Sequence, residues 1–380
     1  MTDERLETSV RLPDEVAIEV DGDDRFIARA LAELDPYRPL VGGPAAAPRA
    51  ELRIRSIQAG RRERPVELQL LAGDGHVTAV GEREAWLLDG TLGCSIPREG
   101  AVQEVLVERG FSVGRAFRTV VRPALQLQIA RGGGVVVHAS SVEIGGRAVL
   151  VAGWSESGKT ETALALVEGG ARFQSDKWTI LTSGSMAAAF PISLGVRGWV
   201  LPFLPRLRRG LPAGARAQLR LAAAGRVVTT PLRNWHGGGS AMQIVAGAVR
   251  KAVALGDRAA LTPSALRAIY DDDEDPTRAI PIGAIVVLRT APSGEVAVVP
   301  GDPERLSRRL AISAATERAA YLALKQRAAY ARAEEWDIHA LIERDRVALE
   351  RELRRCPLFE VSAPFPGDPR AVAAAVSRHL

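Results

Sequence analysis

The residues best able to do chemistry stand together at 153–160. Gly153-Trp154-Ser155-Glu156-Ser157-Gly158-Lys159-Thr160 matches G-x-x-x-x-G-K-[ST], the Walker A phosphate-binding pattern. Each fixed position has a physical task. Glycines let backbone N–H groups curl around phosphate oxygens. A helix starting at the loop points its positive end at the same anion. Lys159 adds a mobile ammonium for the β- and γ-phosphates, and the Thr160 hydroxyl can ligate Mg²⁺. In a chain with this few lysines, the pattern arises by chance about three times in a thousand. The bland alternative is a Gly-rich strand-to-helix turn that binds nothing. Trp154 takes a variable position, where partial exposure would let it pack on a nucleotide or substrate.

The flanking elements suit the loop. Ala148–Ala152 (AVLVA) reads as an apolar strand running in, and Lys159–Glu168 as a helix stopped by Gly169–Gly170. Val135–Ser140 (VVVHAS) reads as a buried strand. Val142–Ile144, Gly145–Gly146 and Arg147–Ala152 give strand, turn and strand, a hairpin signal. Ala171–Lys177 and Trp178–Thr182 read as the next strands. Upstream, Glu15–Val20, Glu51–Ile57 and Val66–Leu71 alternate as half-buried strands do. Asp24–Leu34 has helical spacing, with Phe26, Ile27, Ala30, Leu31 and Leu34 on one side. Phe111–Ala130 predicts a helix kinked or broken at Pro123 and ended by Gly132–Gly134. Downstream, Gly283–Arg289 and Leu358–Val361 predict strands, Pro303–Arg354 mostly amphipathic helix, and Arg370–Leu380 a terminal helix. Residues 200–280 hold Pro202, Pro205, Pro212, Pro231, arginines from Arg206 to Arg226, the run NWHGGGS (Asn234–Ser240) and the acidic patch Asp271–Asp275. They predict mobile loops between short elements, either a lid or an insertion with no direct role. The expected fold is α/β, with a strand-rich α+β domain at 1–130 and a catalytic domain at 131–380.

Composition narrows the class. The 380 residues are 47% apolar and 25% charged, a balance that supports a buried core and argues against disorder. No apolar run approaches the roughly 18 residues of a membrane helix. The start, MTDERLETSV, has no apolar stretch of the kind that makes a secretory signal. Cys94 and Cys356 are too few for a disulfide scaffold or a four-cysteine zinc module, and they fit a reducing cytoplasm. The net charge is +5, yet only four of the 50 basic residues are lysines: Lys159, Lys177, Lys251 and Lys325. Arginine dominance of this kind reads as a compositional bias and argues against a nucleic-acid partner. It also makes a retained lysine informative, and two of the four fall in one short segment.

The block VVVHASSVEIGGRAVLVAGWSESGKTETALALVEGGARFQSDKW, residues 135–178, resembles the HPr kinase/phosphorylase family. The catalytic domain of that family is similar to phosphoenolpyruvate carboxykinase. The family shows a histidine, a hairpin, a Walker A loop of the form G-x-S-G-x-G-K-S-E-T-A-L, and a strand ending in aspartate. The likeness is close over residues 134–180 and weak at Gly283–Arg289 and the C-terminal helices. It does not extend to residues 1–110 or 200–280. It implies that His138 lies near the phosphates, to position or polarise the γ-phosphate or the acceptor; the alternative is a satisfied core histidine. It implies that Glu161 reaches Mg²⁺, the alternative being a first-turn acid on a helix dipole. Asp176 falls at a Walker B-like place, to hold Mg²⁺ or to accept the proton of an attacking hydroxyl. HPr kinases carry a second aspartate next, and here Lys177 stands in its place. Lys177 would stabilise charge on the transferred phosphoryl, pair with Asp176, or point to the opposite face as strand alternation dictates. Arg197, in Gly195-Val196-Arg197-Gly198, lies where the family has a Gly/Arg segment near the acceptor or phosphate.

The expectation is therefore an ATP- and Mg²⁺-dependent kinase of the HPr-kinase-like group, acting in the cytoplasm on a serine hydroxyl of a peptide or protein. Divergent relatives act on natural-product precursor peptides, and residues 1–130 suit substrate recognition. Two other readings stay open: a small-molecule kinase on the same scaffold, and a nucleotide-binding regulatory protein with little transfer, which Lys177 favours. ATP against GTP and a homo-oligomer also stay open.

Overall fold

A computed structural model describes residues 6–14, 16–39, 50–59, 69–73, 76–81, 84–233 and 256–380. The chain is mixed α/β and builds two large sheets. The first comes wholly from the N-terminal third. Its strands are β1 (Leu6–Leu12), β2 (Val16–Gly22), β3 (Ala50–Ile57), β4 (Gln69–Gly73), β5 (His76–Val80), β6 (Ala85–Asp89), β7 (Leu92–Ser95) and β8 (Val102–Glu108). They run in the order β1-β2-β3-β8-β7-β6-β5-β4, with β2, β3 and β8 mutually parallel. The alternation legible in the sequence turns Val16, Ile18 and Val20 inward with Leu52, Ile54, Val105 and Val107. Helix α1 (Asp24–Glu33) starts where Asp23 accepts from the Phe26 amide at 2.8 Å. Of the strand expected at Val66–Leu71, residues 66–68 lie outside the described residues, as does Glu15.

The helix expected at Phe111–Ala130 forms in three pieces: α2 (Val113–Ala116), a π turn (Phe117–Val121) and α3 (Arg122–Arg131). Pro123 does not break it. The ladder spreads into the π turn just before the ring, which sits in the first turn of α3, where a proline needs no N–H partner.

The second sheet carries the loop. Its strands are β9 (Val135–Val137), β10 (Ala139–Ile144), β11 (Arg147–Gly153), β12 (Arg172–Ser175), β13 (Thr179–Leu181) and β14 (Met186–Ala189), followed after β15 (Leu194–Arg197) and β16 (Arg258–Leu261) by β17 (Ile280–Ala291), β18 (Ala297–Pro300) and β19 (Leu358–Pro364). The order is β12-β10-β11-β17-β14-β13-β9, with β19 on β17 and β18 on β19. At its centre β11, β17 and β19 are parallel. The β10–β11 hairpin turns at Gly145 and Gly146, both at positive φ. Because β11 is covered on both faces, it reads as an unbroken apolar run. Val149 and Val151 face α4 (Lys159–Glu168) and the terminal helix; Leu150 and Ala152 face Leu306, Leu310, Leu349 and Leu353.

Residues 200–280 differ from the expected loops. A 3₁₀ turn (Gly198–Phe203), α5 (Pro205–Gly210), α6 (Ala213–Arg233) and α7 (Pro263–Ile269) fill the described part. Pro205 and Pro263 open helices instead of ending them, because a first-turn proline lacks only an N–H that has no helical partner. Leu204, Leu207, Leu211, Leu219 and Leu266 bury their side chains. Within the acidic patch, Asp272 pairs with buried Arg267 at 2.9 Å. The run NWHGGGS lies outside the described residues.

The amphipathic stretch from Pro303 divides into α8 (Pro303–Glu317), α9 (Ala319–Arg332) and α10 (Ile338–Leu353), and the chain ends in α11 (Pro369–Ser377). Asp302 and Asp337 cap α8 and α10. No helix among the described residues is long and apolar enough to cross a membrane.

Candidate phosphate-binding site

The Walker A residues form a tight loop between the C-terminal end of β11 and the first turn of α4. Gly153 has φ +146°, Glu156 +60° and Gly158 +93°. A Cβ on Gly153 would stand 2.7 Å from Ser157 Oγ and 2.8 Å from the Leu288 carbonyl oxygen, so only glycine fits the entry. Gly158 makes the N-terminal boundary of α4, and a Cβ there would meet the Phe365 ring at 3.2 Å. Trp154 is 52% exposed at the rim. Ser157 Oγ is buried and has no hydrogen-bond partner among the described residues.

Lys159 folds back over the loop. Its Nζ donates to the carbonyls of Gly153 (3.1 Å) and Trp154 (2.6 Å). Burial pulls its pKa down to about 8, against the opposing pull of Asp176, Glu317 and Glu161. Asp176 follows β12, two strands from β11. Its Oδ1 accepts from Thr160 Oγ1 at 2.8 Å and from Ser140 Oγ, on β10, at 2.5 Å. The structure thus brings the loop threonine and the strand-end aspartate into contact. Glu161 is buried in the first turn of α4. Burial pushes its carboxyl above the usual range, while Arg197 and Arg258 oppose the shift. Thr160, Asp176 and Glu161 are the hard oxygen donors that could hold Mg²⁺ here.

His138 is buried between β9 and β10. Nδ1 lies 2.8 Å from Ser313 Oγ, and the ring stands 5.1 Å from that of Trp178. Burial, and then the charge of Lys159, lower its pKa to about 3. It is therefore neutral near pH 7 and acts as a hydrogen-bonding group, not as a cation. Arg197 reaches the loop from β15, with Nη2 at 2.7 Å from Glu156 Oε1. Its strand partner is Arg258, register-matched across the β15–β16 ribbon.

Lys177 neither pairs with Asp176 nor follows strand alternation. Its backbone is left-handed (φ +63°), and its Nζ lies 3.0 Å from Glu317 Oε2. Glu317 closes α8. Burial acts to raise the Glu317 carboxyl, but the charge of Lys177 and then His138 outweigh it, so it sits below its usual range. Glu317 Oε1 is 4.0 Å from His138 Nε2.

Sequence reasoning missed Glu317, Ser140, Ser313, Arg258 and Phe365. A signal existed for two of them. Leu306, Leu310, Ser313 and Glu317 follow one helical stripe, and polar residues on an otherwise apolar stripe mark an inward polar site. Arg258 is lost among the arginines, and Phe365 lies in a turn with no pattern.

A cleft of about 770 Å³ opens elsewhere, at the far end of α4, lined by Gly145, Gly146, Glu168 and Arg370 among others. It is not part of the loop. No family model matches the chain, and no curated protein matches it.

Proposed function

We propose that this chain is an ATP-dependent kinase with an HPr-kinase-like catalytic domain, moving the γ-phosphoryl group to a serine hydroxyl of a peptide or protein. One observation carries the reading: the Asp176 carboxylate accepts from the Walker A threonine, Thr160, beside the buried ammonium of Lys159. A carboxylate joined to the loop hydroxyl is what a phosphoryl-transfer site needs for charge control at the transferred group. The orphaned, buried hydroxyl of Ser157 supports an anion inside the loop. Thr160, Asp176 and Glu161 would hold Mg²⁺. Among the described residues no set of three or more His, Cys, Asp or Glu could hold a metal unaided. When bound, Mg²⁺ supplies neutralising charge on the β- and γ-phosphate oxygens.

The chain's own residues divide the remaining work. Backbone N–H groups of the loop and the start of α4 cradle the phosphates. Lys159 exchanges the carbonyls of Gly153 and Trp154 for phosphate oxygens. Asp176 orients the acceptor hydroxyl and takes its proton as the new O–P bond forms and the bond from the γ-phosphorus to the bridging oxygen breaks, releasing ADP. His138, neutral and tied to Ser313, holds the wall beside the loop. Arg197 reaches the loop through Glu156. The half-exposed Trp154 and Lys177 leave the rim open, which suits an extended chain better than an enclosed metabolite. The N-terminal sheet is the element available to recognise that chain. A second reading, a nucleotide-binding regulatory protein, is favoured by Lys177 standing where HPr kinases carry their second aspartate.

The test uses labelled ATP, Mg²⁺ and candidate peptide, protein and metabolite acceptors, with the phosphate located by mass spectrometry. Phosphoserine on a peptide or protein is expected. Lys159→Ala should lose all transfer while keeping its fold. Full transfer by that variant would remove the phosphate-loop assignment, and labelling of a metabolite alone would move the acceptor to the small-molecule class. Nucleotide binding with no product would favour the regulatory reading.

A further inference from the structure

We infer that Lys177 reads the γ-phosphate: its ammonium rests on Glu317, and a bound nucleoside triphosphate, but not a diphosphate, draws it off. The inference deepens the phosphate-loop reading above and rests on it.

The first support is where Lys177 points. Strand alternation would send it to the face opposite Asp176. Instead the chain adopts a left-handed backbone at Lys177, uncommon for a residue with a side chain, and such backbones cluster at ligand clamps and switches. The ammonium arrives at Glu317 Oε2, 3.0 Å away.

The second support is where Glu317 sits. Its Oε1 lies 4.0 Å from His138 Nε2, and Asp176, the residue before Lys177, accepts from Thr160 of the loop at 2.8 Å. Lys177 is thus one residue away from a direct contact with the Walker A loop. Lys159 is likewise parked, on the carbonyls of Gly153 and Trp154. Both ammonium groups therefore rest on protein acceptors.

The third support is charge. A γ-phosphate reaching past the β position would approach the Glu317 carboxylate, and two anions repel unless a cation stands between them. Lys177 is that cation. Its flexible four-carbon stem lets it pivot, and a half-exposed ion pair is weak enough to give up. A diphosphate ends short of Glu317 and leaves the pair closed. Lys177 would thus set the preference for triphosphate over diphosphate, and Glu317 would compete for it.

The two residues should then act with opposite sign. Calorimetric titration of the full chain with ADP and with the non-hydrolysable triphosphate AMP-PNP, both with Mg²⁺, reads this directly. Lys177→Met should weaken AMP-PNP binding about tenfold or more, the scale of one lost charge-assisted hydrogen bond. ADP binding should stay within about twofold, which also shows that the loop is folded. Glu317→Gln, nearly isosteric, should tighten AMP-PNP roughly threefold or more and leave ADP unchanged, because it removes both the competitor and the repulsion. Equal shifts for the two nucleotides in Lys177→Met, or weaker AMP-PNP binding in Glu317→Gln, would overturn the inference while the phosphate-loop reading stands. Wild-type protein that binds neither nucleotide would remove that reading, and this inference with it.

Discussion

Around the loop, single side chains carry charge whose cost is met by neighbours. Asp176 stays buried because two hydroxyls and a nearby ammonium surround it. Asp176→Asn keeps its shape and removes charge and basicity together. Transfer should fall by about 10² or more, the scale of a lost general base, while ATP binding persists. Turnover near wild type would move the role to Glu161. His138 gives a stability prediction with a definite sign. Burial and Lys159 depress its folded pKa to about 3 from an ordinary 6.5, so the folded protein prefers the neutral ring. The unfolded chain binds the extra proton between those values. Stability is then complete above about pH 6.5 and falls as the pH drops toward 3, by up to about 1.4 kcal/mol per unit. Urea unfolding of wild type and His138→Gln at pH 7.5 and 5.0 checks this, since the variant should lose that part of the pH dependence. An unchanged pH dependence would mean that another group carries it.

Between residue and fold, the elements around the site were legible wherever local pattern and tertiary setting agree. The hairpin, the loop, α4 and the strand leading to Asp176 all follow from apolar runs, Gly-Gly stops and one motif. What the chain hides has physical reasons. Pro205 and Pro263 read as breakers but begin helices, and Pro123 is absorbed by a π turn. Glu317 meets Lys177 from more than a hundred residues downstream, and its helical stripe marks it as inward without naming that partner. Backbone demands at the glycines separate turn chemistry from site chemistry. Gly145, at φ +57° with open space around its missing Cβ, should tolerate alanine at a cost of about 1 kcal/mol. Gly153 combines φ +146° with backbone 2.8 Å from the added carbon. Gly153→Ala should lose about 1–3 kcal/mol and nucleotide binding together. Denaturant midpoints and ADP titration of the two variants compare them, and equal behaviour would show that the loop does not need its glycine.

Across the whole molecule, the two sheets share one of three buried clusters. One core runs from Val10 and Ile18 in the first sheet, through Phe117 and Leu125, to Trp178, Ile180 and Phe190 in the second, and on to Tyr321 and Leu324 of α9. Buried polar contacts cross the same boundary: Tyr37 donates to the Ala189 carbonyl at 2.8 Å, and Lys325 to that of Pro97 at 3.0 Å. Trp178 belongs to this shared core and also stacks near His138, so the N-terminal sheet stands directly behind the wall of the site. A chain of 380 residues would ordinarily unfold in stages. Here loss of the first sheet would expose Trp178, Phe190 and Tyr321 at once. We therefore expect one thermal transition, coincident by far-ultraviolet circular dichroism and tryptophan fluorescence. Phe190→Ala, far from the loop in sequence, should cost about 3–5 kcal/mol as a buried aromatic lost from a packed core. It should lower both probes' midpoints together, because the residue serves both sheets. Two resolved transitions, with only the second displaced by Phe190→Ala, would mean that the sheets fold independently and that the N-terminal sheet is free to move relative to the phosphate loop.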